Sequence, residues 1–272
     1  MSAELPTPRP REAWLTALER RADQPPISPR DALVLDDAID AAGAIGSIGS
    51  IEPRLAERLF AAGLPLQRQA SAWRVIGPAD ETLARIARWL HDNQLCSRWR
   101  GELLAVTSGQ GVAVARIERA AARALGLTTQ AVHLIGRTAG GGFWVQQRAL
   151  DKATDPGLWD TLMGGLVAAG ESIRDTLVRE TSEEAGLAIE ALQDLEAHGR
   201  ITIRRPVEDG YMVEHIEVFE AVVPNGLEPA NQDGEVERFA CLDACTLTEW
   251  LRADSFTLEA SLILARRVTC RV

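Results

Sequence analysis

The stretch GGLVAAGESIRDTLVRETSEEAGL, residues 164–187, has glycines near both ends of a helical pattern that carries four glutamates. Ser172, followed three residues later by Asp175, is typical of a capped helix start, and Gly186 is typical of the residue that follows a helix. We therefore predict a helix over residues 173–185, packed on a sheet. Its expected packing stripe comprises Ile173, Leu177, Thr181 and Ala185.

The glutamates of this helix gather where an isolated helix tolerates them least. Glu180, Glu183 and Glu184 share an arc of about 100°. Like charges at these spacings repel by about a few tenths of a kcal/mol per pair, and the last turn is the negative end of the helix dipole. This repulsion predicts that Glu183→Gln stabilises the metal-depleted protein. Because hard divalent cations such as Mg²⁺ bind clustered carboxylate oxygens, we predict a metal site here.

Seven positions of the stretch fit the pattern G-x5-E-x7-R-E-x-x-E-E-x-G. With roughly one-in-fifteen abundance for each residue type, a random window would match about once in 10⁸, so chance does not explain it. At every fixed position the pattern resembles the signature of the Nudix hydrolases. The matching residues are Gly165, Glu171, Arg179, Glu180, Glu183, Glu184 and Gly186. Thr181 departs from the larger aliphatic residue that is usual in the family, and it lies on the packing stripe.

The resemblance implies a metal-dependent hydrolase of diphosphates linked to another group. Glu180, Glu183 and Glu184 would bind Mg²⁺ or Mn²⁺, with a further oxygen from the carbonyl of Gly164 or Gly165. Bound metals would neutralise charge on phosphorus and lower the pKa of the attacking water.

The resemblance also implies residues that support this site. Arg179 and Glu171 would pair and lock the preceding loop onto the helix, which orients the metal ligands. Family members commonly draw a further glutamate, as base or ligand, from a downstream loop. We favour Glu235 for this role. The other candidates are Glu214, Glu217, Glu220 and Glu237.

Cations expected near the metal loop would bind the substrate phosphates. Arg148 and Lys152 lie near the end of a predicted strand that leads to the loop, and two cations there would neutralise phosphate oxygens. Trp159 is expected to pack under the loop, with a stacking role left open. His133 alternates with apolar residues on a predicted strand and is expected to be structural rather than a ligand.

The remaining sequence predicts two domains in an α/β fold. The alternation of strands and helices over residues 129–272 predicts a layered α/β domain, and the resemblance implies that this domain is a Nudix αβα sandwich with a mixed sheet. Residues 1–128 are expected to form a smaller α+β accessory domain, with helical periodicity over 11–22, 52–63 and 81–93. The repeat AIGSIGSIE, residues 44–52, is expected to be a glycine-rich loop or strand bend.

Composition restricts the partners and the location. A formal net charge of −10 lacks the basic surface of a general nucleic-acid-binding protein. No apolar run is long enough to span a membrane, so we expect no membrane partner and a cytoplasmic location. A small-molecule diphosphate is the expected partner, and a homodimer remains open. The four scattered cysteines predict buried, reduced thiols rather than a zinc site.

The whole chain also resembles a Nudix subgroup whose leading domain is related to the region fused ahead of fungal thiamin pyrophosphokinase. That resemblance implies hydrolysis of thiamin diphosphate-type compounds, particularly oxidised or damaged forms, to the monophosphates. A nucleoside-diphosphate-X or dinucleotide diphosphatase is the first alternative. A nucleotide-sensing Nudix-fold binding module is a second, although all the signature acids are present. An isopentenyl-diphosphate isomerase is disfavoured because no cysteine lies between Cys96 and Cys241.

Overall fold

The computed structural model describes residues 10–39, 45–108 and 111–268 of the 272-residue chain. The part before residue 128 contains a four-stranded sheet in the order β2-β1-β4-β3 and a separate hairpin of β5 and β6. Its elements are α1 (Pro10–Ala22), β1 (Asp31–Ile39), β2 (Ile45–Ile51), α2 (Pro53–Ala61), β3 (Leu66–Gln69), β4 (Ala72–Val75), α3 (Ala79–Asp92), β5 (Leu103–Thr107), β6 (Ala113–Glu118) and α4 (Arg119–Ala122). This α+β part has its own core around Trp73, Leu83 and Ile86, which are buried.

The part from residue 128 onward is built on a mixed sheet with the path β11-β12-β7-β8-β13. Its strands are β7 (Thr128–Thr138), β8 (Phe143–Arg148), β9 (Trp159–Asp160), β10 (Met163–Leu166), β11 (Gln193–Val207), β12 (Gly210–Val223) and β13 (Val236–Leu242). β7 pairs parallel with β12 and antiparallel with β10 and β8. β9 pairs with β8. The central strand β7 therefore holds β10, which carries the two glycines of the signature.

Helices cover both faces of this sheet, as an αβα sandwich requires. They are α5 (Ile173–Ala185), α6 (Ala244–Arg252) and α7 (Leu258–Arg267), with a short 3-10 helix at Ile189–Ala191. Because side chains alternate along a strand, Val132 and Leu134 of β7 pack in a core with α5. Ala131 and Ile135 pack in the opposite core, with α6 and α7.

The first helix packs on the later part of the chain. Leu18 and Ala22 of α1 are buried in the same core as α7 and β11, and Glu19 pairs with Arg266 at 3.0 Å. Residues 10–22 thus precede the N-terminal sheet in sequence but bury their apolar face against the C-terminal body. For the elements that follow α1, we keep residue 128 as the proposed boundary between the two domains.

Several elements follow the sequence patterns closely. Helix α5 begins and ends where the capping residues predict, α2 lies within its expected range, and α3 begins two residues before its expected start. Of the two expectations for AIGSIGSIE, the loop was wrong, because Ile45–Ile51 forms strand β2, and the pairing of β2 with β1 shifts register at two points. Gly49 permits this strand to approach a later turn: a Cβ on Gly49 would lie 2.7 Å from the carbonyl oxygen of Leu125.

The cysteine prediction was wrong about burial and, for one residue, about the reduced state. Cys96 is half-buried and Cys241 is exposed, and both are free thiols. Cys245 is exposed and takes part in a disulfide. Cys270 lies outside the described residues. A membrane span would require a longer and more apolar helix than any in the described ranges.

Candidate active site

Helix α5 is fixed at both ends by the residues that the sequence suggests. The Ser172 hydroxyl accepts a hydrogen bond from the Asp175 amide at 3.1 Å, and the Asp175 carboxylate accepts one from the Ser172 amide at 3.1 Å. Gly186 follows the helix with φ of 64°, and a Cβ there would lie 2.7 Å from the Ala230 carbonyl oxygen. A left-handed, crowded position of this kind requires glycine.

The loop before α5 is tied to the helix by a two-bonded ion pair. Arg179 donates from Nε to Oε1 of Glu171 at 2.8 Å and from Nη2 to Oε2 at 2.9 Å. Thr176 also donates to Glu171, at 2.7 Å. The guanidinium of Arg179 holds the pKa of Glu171 below its ordinary value. The structure therefore brings together the pair that the sequence expects to lock the loop.

Arg179 also changes the expected repulsion among the helix carboxylates. Its Nη1 lies 2.9 Å from Glu180 and 2.9 Å from Glu183, so one cation lies between the two carboxylates. Glu183 is half-exposed, with 51% of its side-chain area accessible. The expectation that Glu183→Gln stabilises the metal-depleted protein loses its physical basis, because this substitution removes an ion pair and relieves little repulsion.

Glu184 is the buried carboxylate of the site. Only 3% of the residue is exposed. It accepts hydrogen bonds from Nε2 of Gln146 at 2.9 Å and from the Gly164 amide at 3.1 Å. Burial raises its pKa to about 8, and the nearby charge of Glu180 acts in the same direction. The carboxylate therefore lies in a polar cradle that contributes no full positive charge at hydrogen-bond distance.

Glu180 lies against the backbone of β10, and the glycine there makes room for it. A Cβ on Gly165 would lie 2.2 Å from the carboxyl carbon of Glu180, closer than any side chain allows. Burial raises the pKa of Glu180, partly opposed by Arg179. On the other side of the same strand pair, Gly164 lies against the His133 ring, 2.7 Å from a Cβ built on the glycine.

A cavity of about 150 Å³, here called the inner cavity, joins these carboxylates to residues from other elements. Glu180 and Glu184 line it, whereas the more exposed Glu183 does not. Gly164 and Gly165 of β10 form part of its wall. Arg148 and Lys152, the predicted phosphate-binding residues, also line the inner cavity.

Arg148, Lys152 and Glu235 line the inner cavity together. Arg148 pairs with Asp160 at 3.4 Å and donates to the Thr154 carbonyl. Lys152 forms an ion pair with Glu235. Burial alone would raise the pKa of Glu235, but Lys152, assisted by the charges of nearby arginines, lowers it. Glu235 is therefore ionised at neutral pH and lies next to the acidic helix.

The other downstream glutamates lie in different surroundings. Glu217 pairs with Arg200 at 2.6 Å, and Glu220 pairs with Arg267 at 3.0 Å. Glu237 is exposed on β13. Of these candidates only Glu214 joins Glu235 in the lining of the inner cavity, where it accepts from Thr129 at 3.4 Å.

His133 and Trp159 are both buried, and His133 also lines the inner cavity. The buried His133 ring contacts the Thr161 hydroxyl at 2.9 Å through Nδ1. Trp159 is 7% exposed and packs against Trp250, with ring centroids 5.0 Å apart. Trp159 therefore belongs to the apolar core, and the inner cavity does not include it.

Sequence reasoning missed several polar residues of the inner-cavity region, among them Gln146, Asp160 and Glu259. Gln146 is buried on β8 and its Oε1 has no hydrogen-bond partner within the described ranges. Asp160 and Glu259 line the cavity, and burial raises the pKa of Glu259 to about 7. A glutamine in an alternating strand and a glutamate in a first helical turn carry no distinctive local signal, so the pattern did not identify them.

The donor set fits a hard divalent cation, although the side chains are not arranged as a finished cluster. No three His, Cys, Asp or Glu side chains converge in the described parts of the chain closely enough to hold a metal. Glu180 and Glu184 nevertheless face one cavity, and the unpartnered carbonyl oxygen of Gln146 belongs to the residue that cradles Glu184. Carboxylate and amide oxygens are the ligands that Mg²⁺ and Mn²⁺ take.

Comparison with known proteins agrees with this arrangement. A family model described as the NUDIX domain matches residues 127–264, just over half of the chain. Nudix hydrolase 24, chloroplastic, from Arabidopsis thaliana is 30% identical over 187 residues, which cover 67% of this chain and 51% of the relative. Nudix hydrolase 20, chloroplastic, from the same plant is 29% identical over 185 residues, covering 66% and 50%.

The chain spans about half the length of these curated relatives. Among solved structures, the crystal structure of DR0079 from Deinococcus radiodurans is similar with a TM-score of 0.51 and 21% identity. The match covers 62% of this chain and all of that one. At this identity the likeness concerns the fold alone.

Removal of the buried charge of Glu184 should stabilise the chelator-treated protein at high pH. Between pH 4.5 and about 8 the unfolded carboxyl is ionised while the folded one keeps its proton, so the free energy of unfolding falls as pH rises. We expect Glu184→Gln to exceed wild type at pH 8 by on the order of a few kcal/mol, with the gain vanishing near pH 4. Urea unfolding at both pH values measures this.

Glu183→Gln is the matched control, because Glu183 lies on the same turn but is half-exposed and paired with Arg179. It should change the free energy of unfolding by less than about 1 kcal/mol at either pH. An equal gain for Glu184→Gln at pH 4 and pH 8 would contradict the assignment of a raised pKa to this group.

Gly165→Ala should displace Glu180 and destabilise the protein. The added methyl group would occupy the space of the Glu180 carboxyl group, and such overpacking costs about 1–3 kcal/mol. Gly140→Ala is the control, because the nearest atom to its Cβ is 3.9 Å away. Thermal unfolding of both variants gives the comparison, and equal melting temperatures would refute the contact.

Proposed function

The chain belongs to the Nudix family, and on that premise we propose that it is a metal-dependent hydrolase of organic diphosphates. One observation carries the proposal most: Glu180 and Glu184 of the signature helix share the inner cavity with Arg148, Lys152 and Glu235. Carboxylates that can hold cations and cations that can hold phosphates are thereby placed around one small space.

The metal would be Mg²⁺ or Mn²⁺. Glu180, Glu183 and Glu184, with the Gly164 carbonyl, are the proposed ligands, and Glu183 would have to leave Arg179 to take part. When bound, such a cation polarises phosphate oxygens and lowers the pKa of water.

The remaining residues of the inner cavity have separate proposed roles. Arg148 and Lys152 bind non-bridging phosphate oxygens through charge-assisted hydrogen bonds. Glu235, ionised through its contact with Lys152, accepts a proton from water as its oxygen attacks phosphorus. A bridging phosphorus–oxygen bond then breaks, and for a terminal diphosphate the products are the monophosphate and inorganic phosphate. Arg179 and Glu171 act by holding the helix and loop in position.

As substrate we propose thiamin diphosphate-type compounds, particularly oxidised or damaged forms. The support is the resemblance of the leading domain together with the Nudix signature. The two plant relatives match over more residues than the family domain alone contains, which extends the similarity into the leading domain. A nucleoside-diphosphate-X or dinucleotide substrate uses the same reaction and is the competing assignment.

Two other functions differ in chemistry. A nucleotide-sensing module would bind a diphosphate without turnover, whereas this chain keeps every signature acid. An isopentenyl-diphosphate isomerase would need a reactive cysteine, and none of the residues that line the inner cavity is a cysteine. We also propose a cytoplasmic location, which cell fractionation tests, and a homodimer, which the molecular mass in solution tests.

The enzyme should release phosphate from a diphosphate only with a divalent cation. We expect turnover of oxo-thiamin diphosphate with Mg²⁺ to exceed that of ADP-ribose and other nucleotides. Glu184→Gln should lower kcat/KM on the order of 10²-fold or more, because it removes a proposed metal ligand. Glu190→Gln, on the exposed 3-10 helix, is the control and should leave turnover unchanged.

Other outcomes would reject parts of this proposal. The enzyme assignment would be refuted if wild type hydrolysed no diphosphate, or if Glu184→Gln kept full turnover. Faster turnover of ADP-ribose or a dinucleotide would transfer the substrate assignment to the nucleotide class. Tight binding of a nucleotide without hydrolysis would support the sensing module.

A further inference from the structure

A second, larger cleft opens from the inner cavity toward the N-terminal part of the chain. This outer cleft has a volume of about 1120 Å³, slightly above the roughly 300–1,000 Å³ that is usual for small-molecule sites. Arg119 and Arg123, together with Leu166 of β10, line both the outer cleft and the inner cavity. A ligand in the inner cavity can therefore extend between the two parts of the molecule.

Two cations of the C-terminal body already have close partners in the inner cavity, and a third, Arg205, lies 3.9 Å from Glu259. Arg148 forms an ion pair with Asp160 and donates a hydrogen bond to the Thr154 carbonyl. Lys152 forms an ion pair with Glu235. Arg119 and Arg123 enter from the N-terminal part, one at the start of α4 and the other directly after it. Because they are four residues apart on helical backbone, they lie on one face.

Arg119 is positioned by a hairpin of the N-terminal part. Its Nη1 lies 2.7 Å from Oε2 of Glu102, and its amide donates to the Glu102 carbonyl at 2.8 Å. Both groups of this ion pair are half-exposed. The guanidinium therefore keeps free N–H groups for an anion beside the inner cavity.

Arg123 is positioned by the turn between β11 and β12. The Tyr211 amide donates to the Arg123 carbonyl at 2.9 Å. Gly210 has φ of 145°, a conformation that favours glycine. A Cβ on Gly210 would lie 2.2 Å from the same carbonyl oxygen, so the turn packs closely against the backbone of Arg123. Asp209 lies 3.7 Å from the guanidinium, and its second carboxylate oxygen is buried without a partner in the described chain.

The N-terminal part also touches the loop that leads into α5. The Ala169 amide donates to the Leu103 carbonyl of β5 at 2.8 Å, and Leu104 forms a bridge with Ala168. Glu171, three residues after Ala168, is held by Arg179. The same N-terminal hairpin thus contacts the signature loop and supplies the partner of Arg119.

We propose that Arg119 and Arg123 form a phosphate-binding site through which the N-terminal part completes the inner cavity. The ligand is the diphosphate of the substrate, and the organic group lies in the outer cleft. This inference rests on the proposed function. Guanidinium groups suit phosphate because they donate two parallel hydrogen bonds. In a chain of net charge −10, local arginines are needed to offset the acidic helix.

The test uses Arg119→Gln and Arg123→Gln, which remove the charge and retain most of the side chain. Calorimetry with inorganic diphosphate and Mg²⁺ measures binding directly, without hydrolysis. We expect each variant to weaken binding by about 10–100-fold, the loss of one or two charge-assisted hydrogen bonds. In steady-state assays KM should rise by a similar factor while kcat changes less than about threefold. Arginine-to-lysine variants should recover part of the affinity.

Arg116→Gln is the control. Arg116 is an exposed arginine of the same N-terminal hairpin, paired with Asp80, and it lines neither the inner cavity nor the outer cleft. It should bind inorganic diphosphate as wild type does. If Arg123→Gln unfolds because Asp209 loses its partner, Arg119→Gln decides the outcome, since its partner Glu102 is half-exposed and tolerates the change.

Several results would overturn the proposal. They are unchanged affinity in folded variants, a fall in kcat at constant KM, or wild-type protein that does not bind inorganic diphosphate. Failure of the proposed function is distinguishable. A wild type that binds inorganic diphosphate through these arginines but hydrolyses no diphosphate would refute the hydrolase and keep the phosphate site.

Discussion

The buried carboxylate of Glu184 is the constraint on which the site depends. It lies in the last turn of α5, where the helix dipole is negative, and burial raises its pKa to about 8. Hydrogen bonds from Gln146 and from the Gly164 amide hold it in place. Neither group offsets a full charge, so the ionised form of Glu184 is disfavoured unless a cation is bound nearby.

The surrounding architecture follows from placing that carboxylate against β10. Strand β10 must be glycine-rich, because Gly165 gives space to Glu180. The preceding loop must be fixed, and Glu171 with Arg179 fixes it. Arg179 also holds Glu180 and Glu183, so one side chain organises the loop and the acidic face of the helix. The signature residues are therefore coupled through contacts as well as through spacing.

The sequence predicts the parts of this arrangement that depend on local chemistry. The bounds of α5 follow from its capping residues, and the pairing of Arg179 with Glu171 follows from the family pattern. Residues that meet through long-range topology were not predictable. Gln146 reaches Glu184 only because β8 lies near α5 in the folded sheet. Arg119 and Arg123 lack a local motif, and the placement of α1 on the C-terminal core has no signal in its own periodicity.

We propose that this carboxylate cradle holds a divalent cation. Anomalous diffraction from a crystal grown with Mn²⁺ tests it most directly. We expect a manganese peak about 2.0–2.4 Å from carboxylate oxygens of both Glu180 and Glu184. A well-ordered site with no manganese there, or manganese bound elsewhere while Glu184 keeps only its hydrogen bonds, would contradict the account.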